Sequence, residues 1–196
     1  HSGDFKLDHT PVMAQPTDLG RLAQLGREGV LLLLSDSTYA EIGGYTPSER
    51  VVGESLFNIM GSSPGRVIVA TFASLISRVQ QVIDAAHATG RRVFVTGRSM
   101  LDNVNMAVEQ GYLTVPDGIF AGVGELRRLP HHQIAVISTG SQGEPTSALT
   151  RMSNQDHPHV KIVPGDTVVL SATAIPGNEA LVYRTVDNLF RLGANV

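Results

Sequence analysis

Residues 134–145 read IAVISTGSQGEP, and the break in the middle of that stretch decides the fold. Ile134 to Ile137 form a short apolar run rich in β-branched side chains, the composition of a strand buried on both faces, as in a parallel sheet. Hydroxyls and glycines follow at once, and then an amide, an acid and a proline. The same grammar recurs in GVLLLLSDST (29–38), RVIVATFAS (66–74), RRVFVTGRS (91–99) and DTVVLSATAIPG (166–177). Five such runs predict five strands.

Helical periodicity lies between most of them. TPSERVVGESLFNIMG (46–61) offers Thr46 as N-cap, Pro47 at the first helical position and Glu49 to complete a capping box, with Val52, Leu56 and Ile59 on one face and Gly61 as a stop. SLISRVQQVIDAAHATG (74–90) spaces Leu75, Ile76, Val79, Val82, Ile83 and Ala86 helically, and PGNEALVYRTVDNLFRLG (176–193) does so with Val182, Val186, Leu189 and Phe190. A further helix is expected through MLDNVNMAVEQGYL (100–113). Strand alternating with helix implies an α/β fold, an open parallel Rossmann-like sheet flanked by helices.

Composition narrows the functional classes. A chain of 196 residues, 42% hydrophobic, can bury a sizeable core. A formal net charge of −3 and a pI near 6.2 argue against holding nucleic acid by bulk positive field, so a polyanion would need specific groups. The absence of cysteine excludes disulfides and thiolate metal sites and suits a reducing, cytoplasmic compartment. No apolar run approaches transmembrane length, and no membrane partner is expected. The chain opens on His1 and closes on LGANV, which reads as an excised piece of a longer protein.

In a parallel sheet the ligand crevice lies beyond the carboxyl ends of the strands, where each hydroxyl- and glycine-rich run falls. There, backbone N–H and side-chain O–H groups can converge on a phosphate at helix N-termini. The plainer alternative is that Ser, Thr and Gly terminate strands and cap helices. Neither GxxxxGK[ST] nor GxGxxG is present. Ser74, Arg78 and Arg98 are candidate phosphate contacts, the arginines alternatively pairing with acids on a solvated face. Phe72 could stack on a base or belong to the core. Asp36, at the mouth of the leucine run, could bind a metal or ligand, or cap its own turn. His131, His132, His157 and His159 form no ligand cluster and are read as solvated loop residues.

Taken together, SGDFKLDHTP, GVLLLLSDST, ATFAS with RVQQ, GRSM, ISTGSQGEP and PGDTVVLSATAIPGNE resemble ribonuclease J, a bacterial member of the metallo-β-lactamase superfamily carrying an inserted β-CASP domain. The resemblance implies residues 1–45 as the trailing edge of a metallo-β-lactamase segment and 46–196 as the β-CASP domain. It implies a parent enzyme with two zinc ions that hydrolyses RNA phosphodiester bonds, as a 5′-to-3′ exonuclease preferring 5′-monophosphate ends and as an endonuclease. Paired metal ions would generate hydroxide and stabilise in-line displacement. On this resemblance Asp4 matches a metal-bridging carboxylate, Asp36 a catalytic acid, and Ser141, Gln142, Gly143 and Glu144 an RNA-contacting loop. The family's histidine-rich zinc motif and its later serine-glycine-histidine motif have no match here, so the piece by itself is expected not to cut RNA. Its partners would be RNA, the remaining metallo-β-lactamase segments of the polypeptide, and further copies in a homo-oligomer. Where the family commonly reads ATFASNIHR this chain has ATFASLISR, with Leu75 and Ser77 in place of an amide and an imidazole. A rival from a different class is a non-catalytic Rossmann-like module binding a mononucleotide or sugar phosphate. A third possibility is an insert that binds nothing until its partner domain completes the groove.

Overall fold

A computed structural model describes residues 1–13, 15–38 and 40–196. The chain divides into two compact units, His1–Val52 and Gly53–Val196.

The second unit is built on four parallel strands, β1 (Val67–Ala70), β2 (Arg92–Thr96), β3 (Ile134–Ser138) and β4 (Thr167–Leu170), in the order β2-β3-β1-β4. The register pairs Ala70 with Ser138 and Leu170, and Thr96 with Ser138, so the four carboxyl ends finish level. Every residue of β1 and β3 is buried, which is why these runs are continuously apolar rather than alternating. Single bridges from Phe120 to Val93 and from Asn195 to Thr167 extend the sheet at its two edges.

Helices α2 (Arg50–Ser62), α3 (Ile76–Ala88), α4 (Arg98–Glu109), α5 (Val123–Leu126), α6 (Ala148–Ser153) and α7 (Glu179–Arg191) complete the pattern, numbered after α1 (Leu19–Glu28) of the first unit. On one sheet face Ile68, Ala70, Phe94, Val136 and Val168 pack with Leu149 and Met152 of α6 and Leu189 of α7. The alternate strand residues point to the opposite face, where α3 and α4 pack together. Thus β1 and β2 send the chain to one face while β3 and β4 send it to the other, and every junction between neighbouring strands is a topological switch point.

Three expectations are corrected. The leucine run 30–34 is not a strand: it belongs to the first unit, forms no ladder, and leaves Leu31 to Leu34 exposed. Helix α2 starts at Arg50 rather than beside Thr46, because Ser48 Oγ, not the Thr46 side chain, accepts from the first helical N–H (3.3 Å). Phe190 is exposed, since α7 turns Val182, Thr185 and Leu189 inward.

In the first unit Asp8 is the organising residue. Its carboxylate accepts from Thr10 N (2.9 Å), Glu49 N (2.9 Å) and Ser48 Oγ (3.0 Å), joining two segments forty residues apart in sequence. The backbone N–H bonds of Glu49 and Thr10 hold its carboxyl well below the ordinary range, at about 2. Lys6 pairs with Glu49 at 3.3 Å beside it.

The amino ends of the strands are closed by buried charge. Arg66 grips Asp166 in a bidentate pair (2.9 and 2.5 Å) across β1 and β4. Arg91 spends its guanidinium on the carbonyls of Met60, Ser63, Gly65 and Ile134, thereby capping the end of α2.

Candidate nucleic-acid interface

The carboxyl ends are organised differently. Thr71 Oγ1 and Ser138 Oγ, at the ends of adjacent strands β1 and β3, are buried with no hydrogen-bond partner among the described residues. Native interiors rarely leave such groups unpaired, and those that remain mark strain or a functional edge. At the amino ends Arg66, Asp166 and Arg91 are hydrogen-bonded, whereas at the carboxyl ends these two buried hydroxyls have no partner among the described residues.

Within 139–145 the local conformation follows from packing. Gly143 has φ +72°, and a Cβ there would stand 2.5 Å from the Leu181 carbonyl and 2.8 Å from Val182 N, so only glycine lets this turn lie against α7. A turn closes from Gly143 N to Gly140 O at 3.1 Å. Gln142 is 2% exposed: its Nε2 donates to Thr173 O (2.9 Å) and its Oε1 accepts from Ile175 N (2.8 Å). The amide staples the β3 loop to the β4 loop. Ser141 is equally buried, whereas Glu144 is exposed.

Arg78 is likewise an internal connector. It is 8% exposed and its Nη1 donates to Ser171 O (3.1 Å) and to Ser171 Oγ, tying α3 to the end of β4. Ser74 is exposed just before α3, and Phe72, 37% exposed, stands outside the core. Leu75 and Ser77 are half-buried near the start of α3. Arg98 and Ser99 are exposed in the first turn of α4, which carries no side-chain cap. The carboxyl edge therefore presents Ser74, Phe72, Arg98 and Glu144 outward, and uses Arg78, Ser141 and Gln142 from within.

Beside this edge, between the ends of β2 and β3, opens a cleft of about 1050 Å³. Thr96 and His157 lie deep in it, Arg98, Ser99 and Arg151 belong to its polar lining, and Phe94, Phe120 and Val104 supply apolar wall. His157 corrects an expectation, because it is 4% exposed rather than solvated. Its Nδ1 accepts from Val160 N (3.0 Å) and His159 N (3.3 Å), and its Nε2 meets Thr96 Oγ1 at 3.0 Å. Burial holds the imidazole below its ordinary value, at about 4. Only the apolar residues Val160 and Ile162 shortly after the histidine hinted at burial.

Asp36 accepts from Thr38 N (3.0 Å) and Thr38 Oγ1 (2.7 Å), a turn closed by its own side chain, and these bonds lower its carboxyl pKa, the hydroxyl contributing most. Asp4 is exposed. Among the described residues no group of three or more His, Cys, Asp or Glu could hold a metal ion, so these residues alone do not fit a zinc site.

A profile of the ribonuclease J β-CASP domain matches residues 64–189. The chain belongs to the ribonuclease J β-CASP family. It is 50% identical through its whole length to a protein named ribonuclease J of Thermus thermophilus, of which it covers 34%. It is 48% identical to a Synechocystis ribonuclease J, covering 31% of it, and 46% identical to ribonuclease J2 of Bacillus subtilis, covering 35%. The chain thus spans about a third of these relatives. The matched region contains all four strands and both sides of the cleft, so the carboxyl edge described above is an edge of the β-CASP domain. No helix of the described residues is long and apolar enough to cross a membrane.

Proposed function

We propose that this chain is the RNA-holding part of a ribonuclease J-like enzyme, with residues 1–45 as the trailing edge of a metallo-β-lactamase segment and 46–196 as the β-CASP domain. The observation that carries this reading is the match, over all 196 residues, to proteins named ribonuclease J. The parent is a cytoplasmic hydrolase of RNA, acting from 5′-monophosphorylated ends and internally, and assembles as a homo-oligomer.

RNA lies along the carboxyl edge of the sheet. Ser74 and Arg98 meet phosphate oxygens directly, as exposed groups at helix starts can. Ser141, Gln142, Gly143 and Arg78 hold the loops in shape, and Glu144 stands at the rim. Zinc bound in the parent would supply an activated water and charge stabilisation; Asp4 would give one carboxylate, Asp36 would serve as the acid, and the rest of the donor set would come from outside these residues. The chain alone therefore binds RNA without cutting it.

The test is a titration with a short single-stranded 5′-monophosphorylated RNA, followed by gel analysis of the RNA after incubation with zinc. Binding that weakens in Ser74→Ala and Arg98→Gln and falls with added salt, with the RNA left intact, is the expected result. Absence of any RNA affinity removes the reading.

A further inference from the structure

The cleft between the ends of β2 and β3 contains a donor that no acceptor among the described residues uses. His157 Nδ1 faces two backbone N–H groups, so it carries a lone pair and the ring proton is on Nε2. That proton is donated to Thr96 Oγ1 across 3.0 Å. The Thr96 hydroxyl is then an acceptor towards His157 and must direct its own hydrogen elsewhere. Thr96 is 7% exposed and lines the cleft, and among the described residues its hydroxyl meets no acceptor. A buried hydroxyl whose hydrogen lacks an acceptor favours a ligand that supplies one.

The surroundings define what kind of ligand. Phe94 is buried below the cleft and lies edge-on to His159, with ring centroids 6.3 Å apart, and Phe120 adds a third ring to the lining. Flat π-surfaces of this kind accept a nucleobase. A phosphate would lose its hydration against such walls, but the uncapped first turn of α4 with Arg98 and Ser99 offers charge and N–H donors among the exposed residues of the same lining. Arg151 lies across the cleft, its guanidinium partly engaged with Asp156 (3.4 Å).

We propose that this cleft is a nucleotide subsite: it takes one base of a single RNA strand, a ring nitrogen or carbonyl oxygen of that base accepting from Thr96 Oγ1, while the attached phosphate rests on Arg98 and the start of α4. This deepens the RNA-holding reading by naming where a base is drawn out of the strand, and it rests on that reading for the identity of the polymer. His157 is a positioning residue, since it touches Thr96 rather than the base.

The experiment follows backbone amide NMR signals of the 196-residue chain during titration with 5′-UMP, 5′-AMP and a short single-stranded RNA, for the wild type, Thr96→Val and Arg98→Gln. Thr96→Val keeps the shape and removes only the hydroxyl, and equal melting temperatures establish that its fold is intact. The expected result is movement of the Thr96–Ser99 signals, with affinity about tenfold weaker in Thr96→Val, the scale of one buried hydrogen bond, and weaker for both nucleotides in Arg98→Gln. RNA binding that leaves Thr96–Ser99 unmoved, or that Thr96→Val does not weaken, overturns the subsite and leaves the RNA-holding reading standing. Nucleotide binding at Thr96–Ser99 that Thr96→Val weakens, with no affinity for RNA, upholds the subsite and overturns that reading. Silence towards all three ligands overturns both.

Discussion

Three residues carry the residue-scale physics. Arg91 is a buried cation whose partners are all carbonyls, and burial lowers its pKa without any carboxylate to oppose the effect. Replacing it with methionine leaves the carbonyls of Met60, Ser63, Gly65 and Ile134 short of their donor, and we expect a loss of about 3 kcal/mol in urea unfolding, as for other broken buried networks. Gly143→Ala forces a Cβ into the Leu181 carbonyl, whereas Gly111, at nearly the same φ (+73°), has nothing within 4 Å. Gly111→Ala is thus expected to cost about 1 kcal/mol from backbone strain alone, and Gly143→Ala clearly more, so a paired stability measurement separates conformation from contact. His157 titrates in the folded chain at about 4 against an ordinary value of 6.5, with burial first among the causes, Arg151, His159 and Lys161 adding to it and Asp156 opposing. Above pH 6.5 the imidazole is neutral both folded and unfolded; between 6.5 and 4 only the unfolded chain takes the proton, so stability falls by up to about 3 kcal/mol across that window and levels off below it. Denaturant melts from pH 7.5 to 4 should show this slope, and His157→Gln should remove it.

At the scale of elements, the edges of the sheet divide the work. The amino edge is locked by the Arg66–Asp166 pair and by Arg91, while the carboxyl edge is held by two staples, Gln142 onto residues 173 and 175 and Arg78 onto Ser171. Gln142→Leu keeps the volume and loses both bonds. Amide hydrogen exchange at Ile175, whose N–H the glutamine accepts, should accelerate at least tenfold, while β1 and β3 exchange unchanged. Much of this level was legible in advance: four of five strand runs and the long helices follow from apolar spacing, and the hydroxyl- and glycine-rich run after Ile137 marked the end of a strand. The leucine run misled because burial of a strand depends on what lies against it, and composition records only that something should. For Gln142 and Arg78 the sequence showed the chemistry but not the contact: an amide or guanidinium suits a phosphate and a backbone carbonyl alike, and the internal partner lies on a loop more than thirty residues away.

For the whole molecule, the two units differ in how they are held. The second has a buried sheet with helices on both faces, whereas helix α1 of the first buries none of its residues and Leu31 to Leu34 stand in solvent. Limited proteolysis should therefore cut within residues 1–52 well before it reaches the sheet, leaving a resistant product that begins near Gly53, identifiable by intact-mass measurement. By itself the sequence determined the alternation of strand and helix, the parallel sheet and the family, because each depends on local periodicity or on the order of short motifs. Only the tertiary structure decided that Arg78 and Gln142 face inward, that His157 is buried and neutral, and that Thr96 is left with a hydrogen to give. Those outcomes depend on which groups meet across the ends of separate strands, and that geometry exists only once the sheet has formed.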